Sequence, residues 1–376
     1  MTAPSVAYDL TRLFIGPVQA TPRGIDRVEL GFATHFLRDW PGTCVATLPT
    51  PFGVRTVKRQ DALHFIDCVE NHWGERCDPD RDRLMDWLAD RLAGRTSAGR
   101  PLTVGNPLRR LATMIGHTVR HARCTWGPLA TQALPADTLY LNTGQVGIAI
   151  PWFLSWLTER PDVKPVFMLH DLIPIEHQQF VPASSTYFHR QMVANVASRA
   201  SGLITTTKFT SSAIRRELDR LGRCDIPVIA EPLPVAPAFL SGAQPDQRLG
   251  ATPYFVIVGS IEPRKNHALL LNVWQSLAQS LGSQAPKLVI VGSRWTGHEP
   301  VTRRLDRSAV LRDLVIEVGG LTTPSMQRLI SNARGLLMPS FAEGFGLPIV
   351  EGQALGVPVI ASDIDAHREA GKFDER

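Results

Sequence analysis

The chain has 376 residues, room for two domains of ordinary size, and its 44% apolar and 20% charged residues suit large cores under a hydrated surface. No apolar run of about 18 residues occurs, so no membrane-spanning helix is expected, and the opening Met-Thr-Ala-Pro-Ser lacks the basic-then-apolar pattern of a leader, which points to the cytoplasm. The net charge is +5, and the five cysteines (Cys44, Cys68, Cys77, Cys124, Cys224) have neither Cys-x-x-Cys pairing nor zinc-spaced histidines, so reduced structural thiols are expected.

In chain order, 6–10 reads as a first strand, followed by a loop and a helix over 25–38 with Ile25, Val28, Phe32, His35 and Phe36 at helical spacing. Gly24 lies in the turn Thr21-Pro-Arg-Gly-Ile25, either an ordinary strand-to-helix turn or a helix start that receives a phosphate. A strand over 43–49 and a helix over 81–92 follow. From Arg91 to Ala136 there are seven arginines and no acid, more charge than the whole chain carries net. Within that stretch Leu108, Leu111, Ala112, Ile115 and Val119 recur at helical spacing, with Arg109, Arg110, His117 and Arg120 on other faces. Such a basic amphipathic helix over 108–120 either packs on its own domain or lies on an anionic membrane. Nucleic acid is disfavoured, because no aromatic interleaving or reading motif accompanies the charge.

Strands are expected at 138–142, 165–169, 202–207 and 227–230, and helices at 152–156, 184–200 and 211–221. His170 and Asp171 fall where the apolar run 165–169 stops, at the carboxyl edge where open α/β sheets bind ligands. A histidine there is either structural or part of a site. The proline-rich stretch 236–252 reads as a linker, and the pattern then restarts with strands at 254–259, 287–292, 314–318, 335–338 and 358–361. The expected fold is α/β, two doubly wound parallel-sheet domains of Rossmann-like type (1–235 and 253–376) facing a cleft that is the default site.

Two stretches of the second half carry chemistry. Glu343-Gly-Phe-Gly346 links a strand to a helix beginning at Leu347, and Glu351 follows with seven residues between the two carboxylates, a pair suited to sugar hydroxyls. Val258-Gly-Ser-Ile-Glu-Pro-Arg-Lys-Asn-His267 places Arg264 and Lys265 beside a helix start, where two cations and a positive helix end suit a diphosphate.

The run Phe341-Ala-Glu-Gly-Phe-Gly-Leu-Pro-Ile-Val-Glu351 resembles the Glu-x7-Glu signature of the retaining GT-B glycosyltransferases of family four. Gly259-Ser-Ile-Glu-Pro-Arg-Lys-Asn266, His170-Asp-Leu-Ile-Pro174 and Gly24-Ile-Asp-Arg-Val-Glu29 resemble the same family's other landmarks. The resemblance implies that Glu351 binds the ribose of a nucleotide sugar, that Glu343 contacts the donor sugar, and that the backbone of Phe345, Gly346 and Leu347 faces the donor. Arg264 and Lys265 would hold the diphosphate, His170 would sit beside the transferred sugar, and Gly24 would let the first loop approach phosphates or acceptor. Ser260 stands where many members carry an arginine, so phosphate neutralisation rests more on Arg264 and Lys265. The resemblance further implies retention of configuration, no metal and no cofactor beyond the donor, GDP-mannose first and UDP-glucose second. The implied acceptor is a cell-surface glycan or its polyprenyl-linked precursor. A sugar-nucleotide epimerase on the same fold and a degenerate, non-catalytic binder are the alternatives. Members of the family continue with a further strand and helices beyond the position of Gly371, so a C-terminal domain ending at Arg376 is expected to be incomplete.

Overall fold

The computed structural model describes residues 3–16, 21–74, 78–95, 116, 120–240, 242, 245–250, 252–295 and 299–373. Apart from 116 and 120, the expected amphipathic helix at 108–120 lies outside them. The chain forms two compact units, Met1–Trp73 with Gly105–Pro234 and Gly74–Val104 with Val235–Arg376. Among the described residues no helix is long and apolar enough to cross a membrane.

The first unit is built on seven strands, β1 (Val6–Asp9), β2 (Cys44–Thr50), β3 (Gly53–Val57), β4 (Leu139–Asn142), β5 (Lys164–Leu169), β6 (Gly202–Thr205) and β7 (Val228–Ala230), in the order β3-β2-β1-β4-β5-β6-β7. Every neighbouring pair is parallel except the β2–β3 hairpin. Successive side chains of a strand point to opposite faces, and β1 obeys this by sending Ala7 into one core cluster and Val6 and Tyr8 into the other. The strand order reverses at β1 and β4, and the carboxyl ends of strands at such a reversal are where doubly wound sheets bind ligands.

The helix expected over 25–38 runs Gly24–Thr34 and continues as a π-helical turn over His35–Asp39. Its buried face differs from the expected stripe. Asp26, Val28, Glu29, Leu30 and Ala33 are buried, followed by Leu37, whereas Ile25, Phe32 and Phe36 are only half-buried and His35 is exposed. The face has turned toward Glu29 and Asp26 because polar partners wait for them inside.

The second unit has five strands, all parallel: β8 (Tyr254–Val258), β9 (Lys287–Val291), β10 (Val315–Val318), β11 (Gly335–Met338) and β12 (Val359–Ala361), in the order β10-β9-β8-β11-β12. The three inner strands read as continuous apolar runs because helices cover both faces of a parallel sheet. Here the order reverses between β8 and β11.

Two domain boundaries expected from the sequence need correction. The helix Arg83–Leu92, placed with 1–235, packs into the second unit: Leu84, Met85, Leu88, Ala89 and Leu92 share a core with Tyr254, Val289 and Ile316. Polar contacts fix it there, with Ser325 Oγ 2.6 Å from Asp82 Oδ2 and Arg248 paired to Asp80, Asp86 and Asp246. The expected linker 236–252 also belongs to this unit, since Phe239 and Leu249, on two short helices, are buried in the same core. Proline and glycine set the chain direction in this stretch, but its buried apolar residues decide where it packs.

Leu88→Ala should cost about 2–5 kcal/mol of stability, the usual range for emptying a buried leucine site. Amide exchange read by mass spectrometry should quicken in β9 and β10; quickening confined to β1–β7 would contradict the assignment of Arg83–Leu92.

Candidate active site

At the reversal of the second sheet, the loops after β8 and β11 are drawn together by backbone contact. The Phe341 amide donates to the Arg264 carbonyl at 2.7 Å, and Arg264 Nη1 donates to the Ala342 carbonyl at 3.0 Å. The approach of the β9 end to the turn after β8 needs glycine. Gly259 has φ of +145°, with Lys265 lying against the space a side chain would fill, and a Cβ on Gly292 would sit 2.0 Å from the Gly259 carbonyl oxygen.

Glu343 is 8% exposed and collects three donors: Lys265 Nζ at 2.5 Å and Ser340 Oγ at 2.7 Å on Oε1, and Arg264 Nη1 at 2.6 Å on Oε2. Arg264 is shared with Glu262 at 2.8 Å. Burial alone would raise the Glu343 pKa, but the charges of Lys265 and Arg264 and the hydrogen bonds from Lys265 and Ser340 outweigh it and hold the carboxyl well below its usual range. A carboxylate offers about four lone-pair directions, so at most one remains for a ligand. The geometry makes Glu343 foremost the counter-ion that positions Lys265 and Arg264.

Gly346, at φ +104°, opens the helix Leu347–Ala354, which carries Glu351 at 1% exposure. Phe345 is buried and Leu347 half-buried in the same turn, while Ser260 is half-buried after β8. The site therefore brings together Arg264, Lys265, Glu343 and the glycine turn, with Glu351 buried on the helix that the turn begins. His367, missed in the sequence, belongs here too. Its Nδ1 meets the Ser362 carbonyl at 3.0 Å, and its ring lies against Gly346. Burial pushes its pKa down, with further influence from the Ser362 carbonyl, Glu343 and Lys265.

His170 and Gly24 lie in the first unit. His170 follows β5, is 4% exposed, and has Nε2 2.9 Å from the Thr143 carbonyl while its own carbonyl accepts from Thr206 Oγ1 at 3.1 Å. Burial lowers its pKa to about 4, so the ring is neutral at ordinary pH. Gly24 is the first residue of its helix, and the carboxylate of Asp26 already occupies that helix start, accepting from the Arg23 amide at 2.8 Å and pairing with Arg12 at 2.7 Å.

Residues 252–373 match the family described as Glycosyl transferases group 1. This stretch is a group 1 glycosyltransferase domain. Its carboxylate pair and basic pair both lie inside the matched residues. The O-antigen chain mannosyltransferase B of Escherichia coli is 26% identical over 206 residues, covering 54% of this chain and 53% of that protein. The O-antigen chain mannosyltransferase RfbU of Salmonella typhimurium is 34% identical over 119 residues, 31% of each chain. The chain thus spans about half or less of the length of these curated relatives. Anabaena HepE, solved in complex with UDP-glucose, is 18% identical, aligns over 98% of this chain and 82% of its own, and has a TM-score of 0.56. That likeness shows the fold, and the two parallel-sheet α/β units are those of a GT-B protein.

Besides His367, the sequence reading passed over a buried polar cluster in the first unit made by Tyr8, Asp9, Glu29, Tyr140 and Thr143. The available signal was Glu29 itself, an acid four residues after Ile25 and three before Phe32, on the stripe expected to face the core. Ser340 and Glu262, the polar neighbours of the group 1 domain's ion cluster, have no periodicity to announce them.

Glu343→Ala leaves two cations without their buried counter-ion and should cost about 3–5 kcal/mol in urea unfolding. Because the folded pKa is depressed, the stabilisation by Glu343 is complete above the unfolded carboxyl's value of about 4.3 and is lost as pH falls toward the folded value. Glu343→Gln should therefore be less stable than wild type at pH 7, with the gap closing on acidification; a gap independent of pH would rule out this ionic role.

Proposed function

We propose that the chain is a retaining glycosyltransferase that moves a hexosyl group, mannose in the first instance, from a nucleotide-diphosphate sugar to a polysaccharide or a polyprenyl-linked glycan precursor. The observation that carries this reading is the Arg264–Glu343–Lys265 cluster at the carboxyl ends of β8 and β11, beside a helix that buries Glu351. Two fixed cations over a glycine turn suit the diphosphate, and the buried Glu351 suits the paired hydroxyls of a ribose. Mannose is favoured by the relatives, both described as O-antigen chain mannosyltransferases. UDP-glucose, the ligand of the HepE complex, is the second donor to test.

In this reading the acceptor hydroxyl attacks the anomeric carbon on the face from which the nucleoside diphosphate departs. The bond from carbon to acceptor oxygen forms, the bond from carbon to phosphate oxygen breaks, and the hydroxyl proton leaves with the diphosphate. Negative charge grows on the departing phosphate, where Lys265 and Arg264 already stand, so no solvent need reorganise to meet it. Glu343 keeps the cations in place and offers what remains of its accepting capacity to the sugar. His170 is assigned to the transferred sugar, and Gly24, Ser260 and the turn Phe345–Gly346–Leu347 to donor or acceptor binding.

With a panel of nucleotide sugars and a lipid-linked acceptor extract, nucleotide release should be largest with GDP-mannose and should persist in EDTA. Lys265→Ala should lower kcat by about 10²–10³-fold, the usual effect of removing one preorganised charge-stabilising group. Binding without release would favour the degenerate binder, and release abolished by EDTA would overturn the metal-independent mechanism.

The basic stretch 108–120 supplies the membrane part of the proposal, matching a lipid-linked acceptor. Arg109→Glu combined with Arg110→Glu should reduce sedimentation with anionic vesicles while leaving turnover of a soluble acceptor intact. Equal binding by the variant and the wild type would remove the membrane role.

A further inference from the structure

The first unit buries a set of titratable groups that the proposed chemistry does not use, at the carboxyl ends of β1, β4 and β5. Tyr8 Oη lies 2.8 Å from Glu29 Oε1, Thr143 Oγ1 lies 2.5 Å from Glu29 Oε2, and the two hydroxyl oxygens are 2.8 Å from each other. The three groups close a triangle, and none is more than 2% exposed.

Counting hydrogens decides the state of this triangle. Each hydroxyl brings one hydrogen, and an ionised carboxylate brings none. If Glu29 were ionised, two hydrogens would have to serve three contacts of 2.8, 2.5 and 2.8 Å, and one pair of oxygens would face each other with nothing between them. If Glu29 carries a proton, each contact holds one hydrogen: Glu29 Oε2–H to Thr143, the Thr143 hydroxyl to Tyr8, and the Tyr8 hydroxyl to Glu29 Oε1. We propose that Glu29 is a neutral carboxylic acid in the working protein and a positioning residue, fixing Thr143 and, through the Thr143 carbonyl, the imidazole of His170.

The charges around Glu29 agree. Asp9 from β1 is buried and hydrogen-bonded to Tyr140 Oη from β4 at 2.6 Å and to the Thr11 amide at 2.8 Å. The nearby cation, Arg12, is engaged by Asp26 of the Glu29 helix at 2.7 Å and by the Gly144 carbonyl at 3.0 Å. Tyr8 and Thr143 are neutral. Burial pushes the Glu29 pKa up to about 7, against the hydrogen bonds from Thr143 and Tyr8, with Asp9 adding to the rise and Arg12 opposing it.

The consequence reaches His170 through one atom. The Thr143 carbonyl can only accept, so His170 Nε2 carries the hydrogen, and Nδ1 presents a lone pair. Among the described residues that buried Nδ1 has no hydrogen-bond partner. A hydroxyl of a bound ligand is the partner it suits. This last step rests on the glycosyltransferase reading, whereas the protonation of Glu29 does not.

The test compares wild type, Glu29→Gln and Glu29→Ala as full chains. The amide of Gln can rebuild the ring, its N–H donating to Thr143 and its oxygen accepting from Tyr8, but it does not titrate. Because the folded pKa of Glu29 is raised, its contribution is complete below the unfolded carboxyl's value and is lost as pH rises through about 7. The melting midpoint of wild type should therefore fall relative to Glu29→Gln between pH 5 and pH 9, and Glu29→Ala should be lower than both at pH 5. Identical pH profiles for wild type and Glu29→Gln would overturn the protonated ring. In the donor assay, wild type should lose kcat on the alkaline side while Glu29→Gln retains it; parallel alkaline limbs would overturn the positioning role. No turnover with any nucleotide sugar, together with the expected melting profiles, would count against the glycosyltransferase reading and leave the ring standing.

Discussion

A buried carboxylate held between two cations is the constraint on which the second unit depends. Glu343 and Lys265 are both almost wholly withdrawn from water, and Arg264 is mostly so. Taking such ions out of water costs several kcal/mol each, and their attraction repays it only when the geometry is tight and the remaining donors and acceptors are matched. Ser340, Glu262 and the Ala342 carbonyl do that matching. Since the cations come from the loop after β8 and the carboxylate from the loop after β11, these loops must touch, and they do so through the Phe341 amide on the Arg264 carbonyl and Arg264 on the Ala342 carbonyl.

The two strand reversals solve different electrostatic problems. In the second unit, fixed cations and a helix start gather where β8 and β11 diverge, a place for an anion. In the first, Asp26 pairs with Arg12 and fills the helix start at Gly24, while Asp9 and Glu29 are buried among the hydroxyls of Tyr140, Tyr8 and Thr143. That edge suits hydroxyl groups better than a phosphate. The division follows from which side chains the sequence places within a few residues of each strand end, since both units share the same doubly wound logic.

Much of this was legible in the sequence because strand runs and helix stripes are local signals. Among the described residues, eleven of the twelve strands match expected runs closely; the exception is β3, which forms a hairpin through Thr50-Pro-Phe-Gly53 in a stretch with no alternation strong enough to mark it. The basic pair and the carboxylate pair were visible as residue types at strand ends. That Glu343 binds Lys265 and Arg264, rather than standing open to a sugar, was not visible, because it depends on two loops some eighty residues apart meeting. Nor could periodicity tell that Arg83–Leu92 packs on β9 and β10, since an apolar stripe says that a helix is buried and not against what.

The resting pairing of Glu343 has a consequence for ligand recognition. If a diphosphate binds beside Lys265 and Arg264, as proposed above, it meets cations whose charge is already matched, so its gain is the difference between two sets of ionic contacts rather than the whole of one. That difference favours a ligand that can keep both cations satisfied at once, since losing either contact in a buried site leaves a charge poorly solvated. A diphosphate, with oxygens on two phosphorus atoms, can meet both while Glu343 stays in place. A monophosphate has fewer oxygens to reach both, and a neutral sugar has no charge to offer. Under the donor assignment proposed above, the cluster would discriminate between anions by the spread of their charge, and Arg264, whose planar fork fixes the direction of its donors, would set that spread more strictly than Lys265 can.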